Sequence, residues 1–416
     1  MKKQVKTPFN IIVIVAALGY FVDIYDLILF GIIRVKSLNG LGITDPQQIT
    51  DTGINLINLQ MIGMLIGGII WGVMGDKKGR VSVLFGSILL YSIANIANAY
   101  VKEISDFIGM SSITAYGWLR FVAGVGLAGE LGAGITLVNE TMTKEHRGYG
   151  TMLVVSFGVL GAVVANLVSF VQWQTSYIIG GVMGIALLML RIGVYESGLY
   201  ANVKESTVKK GNLLMLVSDW KRFIKYLSCI AIGVPIWYMI GILVILSPEI
   251  SKSLGIEGVK PGDAIMYFYA ATSLGDFMSG YLSQIFKSRK KIVLLYLIIT
   301  VIMTPVYLYT KGISATTFYV ICAFLGIAAG YWAVFVTTAS EQFGTNLRAT
   351  VTTTVPNFVR GALALLTLLL EFFRKGLGYD ILNSCFLVGI ICISIAFIAL
   401  FGLKETYGKD LNFVEE

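Results

Sequence analysis

Apolar runs of about twenty residues or more, parted by short polar turns, recur along the whole chain. About 20 mostly apolar residues in a helix cross the hydrocarbon core of a bilayer. By that measure the pattern predicts spans at 10–33, 54–75, 81–101, 112–140, 149–171 and 175–194. A second set falls at 222–248, 262–286, 290–310, 315–340, 347–373 and 380–404. The one long polar interval, 195–221, carries Lys204, Lys209, Lys210 and Lys221. The chain reads as an all-α membrane protein of twelve transmembrane helices. One six-helix bundle occupies 1–195, a linker 196–221 and a second six-helix bundle 222–416.

Composition agrees with this pattern. Hydrophobic residues make up 56% and charged residues 13% of the 416, with a mean hydropathy of +0.79. Soluble domains hold about 45–50% apolar and about 25% charged residues, and no soluble fold of this size hides so much apolar surface. The apolar run that starts at Asn10 is too long for a signal-peptide core and lacks a small-residue cleavage site, so it reads as a retained first span. Of the 32 lysines and arginines, 21 fall at the N-terminus, the linker, the C-terminus and the turns on their side. The opposite turns hold 8, and Arg120, Arg191 and Arg360 lie within spans. The basic side is expected to be cytoplasmic. This places both termini in the cytosol and the chain as a multi-pass protein of the cell inner membrane.

The net charge of +8 is thus a signal of topology, and no nucleic-acid partner is needed to explain it. Cys229, Cys322, Cys385 and Cys392 sit in apolar runs without paired spacing and read as buried thiols. His146 is the only histidine, in a basic turn. No metal cluster, phosphate-cradling loop or nucleophile–base set can be assembled, so neither a metal, a cofactor nor an enzymatic activity is expected.

The halves echo each other. After span 4 the chain reads Glu140-Thr-Met-Thr-Lys-Glu-His-Arg147, and after span 10 it reads Glu341-Gln-Phe-Gly-Thr-Asn-Leu-Arg348. An acid followed seven residues later by an arginine, at the same point of each half, points to duplication. The turn after span 2 reads Gly72-Val-Met-Gly-Asp76-Lys-Lys-Gly79-Arg80. Asp76 can face the positive end of a helix, Gly79 permits a tight reversal, and Arg80 can meet a carboxylate such as Glu140. This turn resembles the loop-2–3 signature of the major facilitator superfamily. The resemblance implies two pseudo-symmetric six-helix bundles, the major facilitator fold, usually monomeric. It also implies a cytoplasmic gate drawn from Gly72, Asp76, Gly79, Arg80, Glu140, Arg147, Glu341 and Arg348. The matching turn of the second half, Gly280 to Lys290, lacks the aspartate and the Gly-Arg pair, so the first half is expected to hold most of that gate.

Span 4 carries Arg120, then Gly124, Gly126 and Gly129, which is similar to a second signature of the superfamily. An arginine within a span normally faces a partner or water. Arg120 is either a structural ion pair or a group that tunes a proton-binding carboxylate. Span 1 reads Asp23-Ile-Tyr25-Asp26, and span 4 continues Gly129-Glu130-Leu-Gly132. These resemble the metabolite:proton and aromatic-acid:proton symporter groups, although Asp23 stands where the first group commonly has glutamate.

Asp23 and Asp26 share a helix face, and two carboxylates this close in oil resist being ionised together. Asp23, Asp26 and Glu130 are therefore candidate proton carriers, with Asp26 favoured; the alternative is that they neutralise Arg120. In span 11, Arg360 and Asn357 share a face beside Pro356. A planar guanidinium suits a substrate carboxylate, and a buried pair with Asp276 is the other role open to Arg360. Tyr25, Trp237, Tyr238, Tyr331 and Trp332 could line a cavity or simply pack. Together these features predict a secondary transporter carrying a small polar, carboxylate-bearing metabolite by proton symport with alternating access. An antiporter or effluxer on the same fold, or a receptor that has lost transport, are the competing readings.

Overall fold

The computed structural model describes residues 10–78, 80–142, 147–196, 214–344 and 346–409, together with 413 and 415. Helices make up almost all of it. Span 1 is Ile11–Gly40, span 2 Pro46–Lys78 and span 3 Arg80–Ala99, followed by a short helix, Val101–Ile108. Span 4 is broken into Ser112–Leu127 and Glu130–Thr141, and span 5 into Arg147–Gly158 and Gly161–Val168. Span 6 is Trp173–Glu196. Span 7 joins Trp220–Ala231, Val234–Tyr238 and a π-helical stretch, Met239–Val244; the short helix Ser247–Ser253 follows. Span 8 is Pro261–Ile285 and span 9 Arg289–Tyr309. Span 10 is broken into Ala315–Ala329 and Trp332–Gln342. Span 11, Arg348–Glu371, runs into a second π-helical turn, Phe372–Gly376, and span 12 is Ile381–Gly402.

The helices run further than the hydropathy pattern predicts. Span 2 starts at Pro46, where the Asp45 carboxylate accepts the backbone N–H of Gln48 and caps the helix. Span 1 continues to Gly40. Hydropathy registers only the part of a helix that lies in oil, and these ends project beyond it. Among the described residues, eleven helices are long and apolar enough to cross a membrane. The twelfth, Pro261–Ile285, has 25 residues but carries Asp263, Asp276 and many small polar residues.

Packing repeats between the halves. Spans 2 and 4, 3 and 4, and 3 and 6 pack together, as do spans 8 and 10, 9 and 10, and 9 and 12. Two equivalent seams join the halves, span 2 on span 11 and span 5 on span 8. Close crossings rest on glycine: a Cβ at Gly124 would strike the Gln60 carbonyl of span 2. Outward faces are apolar, with Leu365, Met189 and Ile398 well exposed. In a bilayer those side chains meet lipid.

Each break in a helix frees backbone groups that oil cannot satisfy. Side chains from neighbouring spans take them up. The Asn357 amide donates to the Ala128 carbonyl at the break in span 4 (2.7 Å), and the Tyr331 hydroxyl to the Ile232 carbonyl in span 7 (3.0 Å). Tyr307 donates to the Leu243 carbonyl of the π-helical stretch (2.8 Å). The Asp276 carboxylate accepts the Ala333 N–H at the break in span 10 (3.0 Å).

Candidate functional site

Where the halves meet, a small cavity is lined by Tyr20 and Ile24 of span 1 and Val159 of span 5. The second half adds Ile236, Trp237 and Ile240 of span 7, Tyr269, Thr272 and Asp276 of span 8, Trp332 of span 10 and Arg360 of span 11. Every one of these residues is buried, none more than 5% exposed.

Apolar and aromatic surface makes up most of the wall, yet several of its polar atoms are unsatisfied. Arg360 Nε and Nη2, Asp276 Oδ2, Tyr269 Oη and Trp332 Nε1 are buried without a hydrogen-bond partner. Buried polar groups left unpaired are costly, and a polar ligand in the cavity would satisfy them. Arg360 Nη2 stands 3.6 Å from Asp23 Oδ2, an ion contact that joins span 11 to span 1. Its Nη1 reaches Asn357 Oδ1 at 3.5 Å, and its guanidinium lies 5.7 Å from the centre of the Trp332 ring. The acid beside Arg360 is thus Asp23, whereas Asp276 is committed to the backbone of span 10.

Of the aromatic candidates, Trp237 and Trp332 line the cavity. Tyr25, Tyr238 and Tyr331 lie elsewhere: their hydroxyls donate to the carbonyls of Ser176, Cys385 and Ile232. Asn357 supports Arg360 from behind and closes the break in span 4. Tyr20, Tyr269 and Thr272 line the cavity without having been singled out by the sequence pattern. Tyr20 precedes Asp23 by three residues, one helical turn, and that spacing is the one cue to it.

The charged candidates separate into distinct clusters. Asp26 is fully buried and its carboxylate has no hydrogen-bond partner; it faces span 6, where a Cβ on Gly180 would strike it. Arg120 donates to Gln60 and, at 3.5 Å, to Tyr177, and its guanidinium lies near the rings of Phe30 and Tyr177. An amide and two rings are the groups in contact with this charge. Glu130 pairs with Arg191 through both carboxylate oxygens, one of them 3.0 Å from Nη1. Arg191 had no role assigned from the sequence.

At the end of the molecule expected to hold the gate, the side chains of Asp76, Arg80, Glu140 and Arg147 and the whole of Gly79 lie outside the described residues. Gly72 faces Thr354 of span 11. Buried Glu341 is 3.5 Å from Arg289, and Arg348 donates to the carbonyls of Ser340 and Phe343. The second half therefore carries an ion pair of its own here, with Arg289 supplied by the turn that lacks the aspartate and the Gly-Arg pair.

The sequence profile describing the Major Facilitator Superfamily matches residues 11–362. The chain belongs to the major facilitator superfamily. It is a multi-pass membrane protein and a secondary transporter of small metabolites, not an enzyme. A Bacillus subtilis protein named as a niacin/nicotinamide transporter, NiaP, is 26% identical over 410 residues, covering 96% of each chain. The benzoate transport protein of Acinetobacter baylyi is 27% identical over 216 residues, 49% of this chain and 43% of that one. Among solved structures, the proton:xylose symporter XylE bound to 6-bromo-6-deoxy-D-glucose superposes with a TM-score of 0.70 at 15% identity, covering 96% of this chain and 97% of that one. The twelve-helix superfamily fold is common to the two.

Proposed function

We propose that this transporter carries a small aromatic carboxylate into the cell by proton symport, with both termini in the cytosol of an inner-membrane protein. The observation that carries this reading is Arg360, a buried arginine with N–H groups that lack a hydrogen-bond partner, in a buried cavity lined by Trp237, Trp332, Tyr20 and Tyr269. A guanidinium offers a carboxylate two parallel hydrogen bonds, and the rings offer flat apolar surface to a flat substrate. Relatives named for niacin/nicotinamide and for benzoate support the same class.

Asp23 gives the arrangement a route to coupling. It is the carboxylate in contact with Arg360, and the contact crosses between the halves. An empty carrier needs Asp23 to balance Arg360. A bound carboxylate takes over that task, and Asp23, buried and no longer opposed, then requires a proton. Proton and substrate enter together, and the loaded carrier turns about the seams between the halves.

Uptake into proteoliposomes, with and without an inward proton gradient, tests the reading on a panel of benzoate, nicotinate and xylose. The two aromatic acids should accumulate only with the gradient, and xylose should not. Arg360→Ala should cut uptake by about thirtyfold or more, the effect of removing one partner of a buried charge pair. Asp23→Asn should leave substrate exchange but abolish gradient-driven accumulation. Full uptake by Arg360→Ala would remove the basis for a carboxylate substrate, and accumulation indifferent to pH would remove the symport.

A further inference from the structure

The cavity has a second polar pole that a simple aromatic acid would leave unanswered. Asp276 is fully buried in span 8. Its Oδ1 accepts the Ala333 N–H at 3.0 Å, which anchors the carboxylate to the start of the helix Trp332–Gln342. Its Oδ2 has no partner and belongs to a residue of the cavity wall. Among the described residues the cation near the cavity is Arg360, and it is in ion contact with Asp23 and out of salt-bridge range of Asp276. Tyr269 and Trp332 bring further unpaired polar atoms, both of them N–H or O–H groups able to donate. The lining of the cavity thus offers a guanidinium and a fixed carboxyl oxygen that are out of salt-bridge range of each other, together with indole and phenol rings.

We propose that Asp276 selects aromatic acids whose ring carries a nitrogen able to hold a proton, placed away from the carboxylate. This rests on the reading of Arg360 as the carboxylate site. A ring nitrogen and a carboxyl oxygen can meet only with one proton between them, held by either atom. The pair then satisfies Asp276 Oδ2, which a ring C–H leaves buried and unpaired. Burying an acceptor without a donor disfavours the analogue by about tenfold or more. Position matters as well. A nitrogen next to the substrate carboxylate lies at the Arg360 end of the ring, whereas one further round is directed to the other wall.

Binding to the purified full-length protein, followed by quenching of tryptophan fluorescence, reads this directly because two tryptophans line the cavity. The probes are benzoate and the three pyridine monocarboxylates, which share ring size and charge. Pyridine-3- and pyridine-4-carboxylate should bind about tenfold or more tightly than benzoate, with pyridine-2-carboxylate grouped with benzoate. In Asp276→Leu, which offers the ring nitrogen neither donor nor acceptor, the preference should collapse while benzoate binding persists, which also shows the variant to be folded. Equal binding of benzoate and the pyridine acids by the unaltered protein would overturn the proposal and leave the carboxylate reading intact. So would a preference that survives in Asp276→Leu. If none of the four acids binds, the carboxylate reading itself fails. The comparison on the unaltered protein decides the matter without the variant should Asp276→Leu misfold.

Discussion

Glu130 and Arg191 show how much a single buried charge depends on its partner. Both are almost fully buried and they face each other through two contacts. Removing one partner of such a pair leaves an uncompensated charge and typically costs about 3–5 kcal/mol, whereas replacing both by apolar residues is often near neutral. Glu130→Gln and Arg191→Met should therefore each lower the thermal midpoint of the detergent-solubilised protein sharply, and the Glu130→Leu, Arg191→Met double variant should recover most of the loss. A midpoint unmoved by either single change would show that the pair bears no structural load. The sequence made the acids and Arg360 visible because a charge in an apolar run stands out. It could not say which acid meets which arginine, since Asp23, Asp26 and Glu130 differ by where their helix faces point. Tyr25, Tyr238 and Tyr331 misled for the same reason. A tyrosine in mid-span looks like a cavity lining, and these three instead satisfy carbonyls of neighbouring spans.

The elements themselves were largely legible, because about twenty apolar residues have few other places to go than a bilayer. What hydropathy could not show was the breaks within spans 4, 5, 7 and 10, which depend on a neighbour being present to receive the freed backbone groups. Nor did it show which face of each span turns inward, since helices apolar all round carry no amphipathic stripe. Helix starts outside the membrane obey ordinary capping chemistry. Glu405, beyond the end of span 12, accepts the backbone N–H groups of Arg289 (2.9 Å) and Lys290 (3.2 Å) and the Ser288 hydroxyl, so it caps span 9. Partial burial pushes its carboxyl up, but the hydrogen bonds from Ser288, Tyr407, Arg289 and Lys290 outweigh this and hold it below its usual 4.5. A depressed value means the stabilisation is present above the unfolded-state value and fades as pH falls through the folded-state one. Glu405→Gln should cost about 1 kcal/mol at neutral pH. Thermal melts taken at falling pH should show the variant and the parent converging below about pH 4.

At the scale of the whole molecule the halves are tied together at one end of the bundle. At the end where span 1 finishes, Arg34, fully buried, pairs with Glu249 at 2.7 Å, and Thr50 donates to the same carboxylate at 3.0 Å. Asn166 with Asp263, and Asn58 with Thr367, add two further links between the halves. Arg34→Ala should weaken this closure and shift the population toward a state open at that end. With a cysteine placed at Ile24 in the cavity wall, an impermeant thiol reagent should label the Arg34→Ala protein about tenfold faster or more, the shift expected from a difference of about 1.4 kcal/mol. Unchanged labelling would show that Arg34 and Glu249 do not guard the entrance. Such an experiment is unusually clean in this chain. Its own thiols, Cys229, Cys322, Cys385 and Cys392, are each no more than 2% exposed and are packed into the helix core. The natural protein is therefore already a silent background for site-directed probes. Reporter thiols can be introduced one at a time without first stripping out the native ones, and every signal belongs to the position chosen.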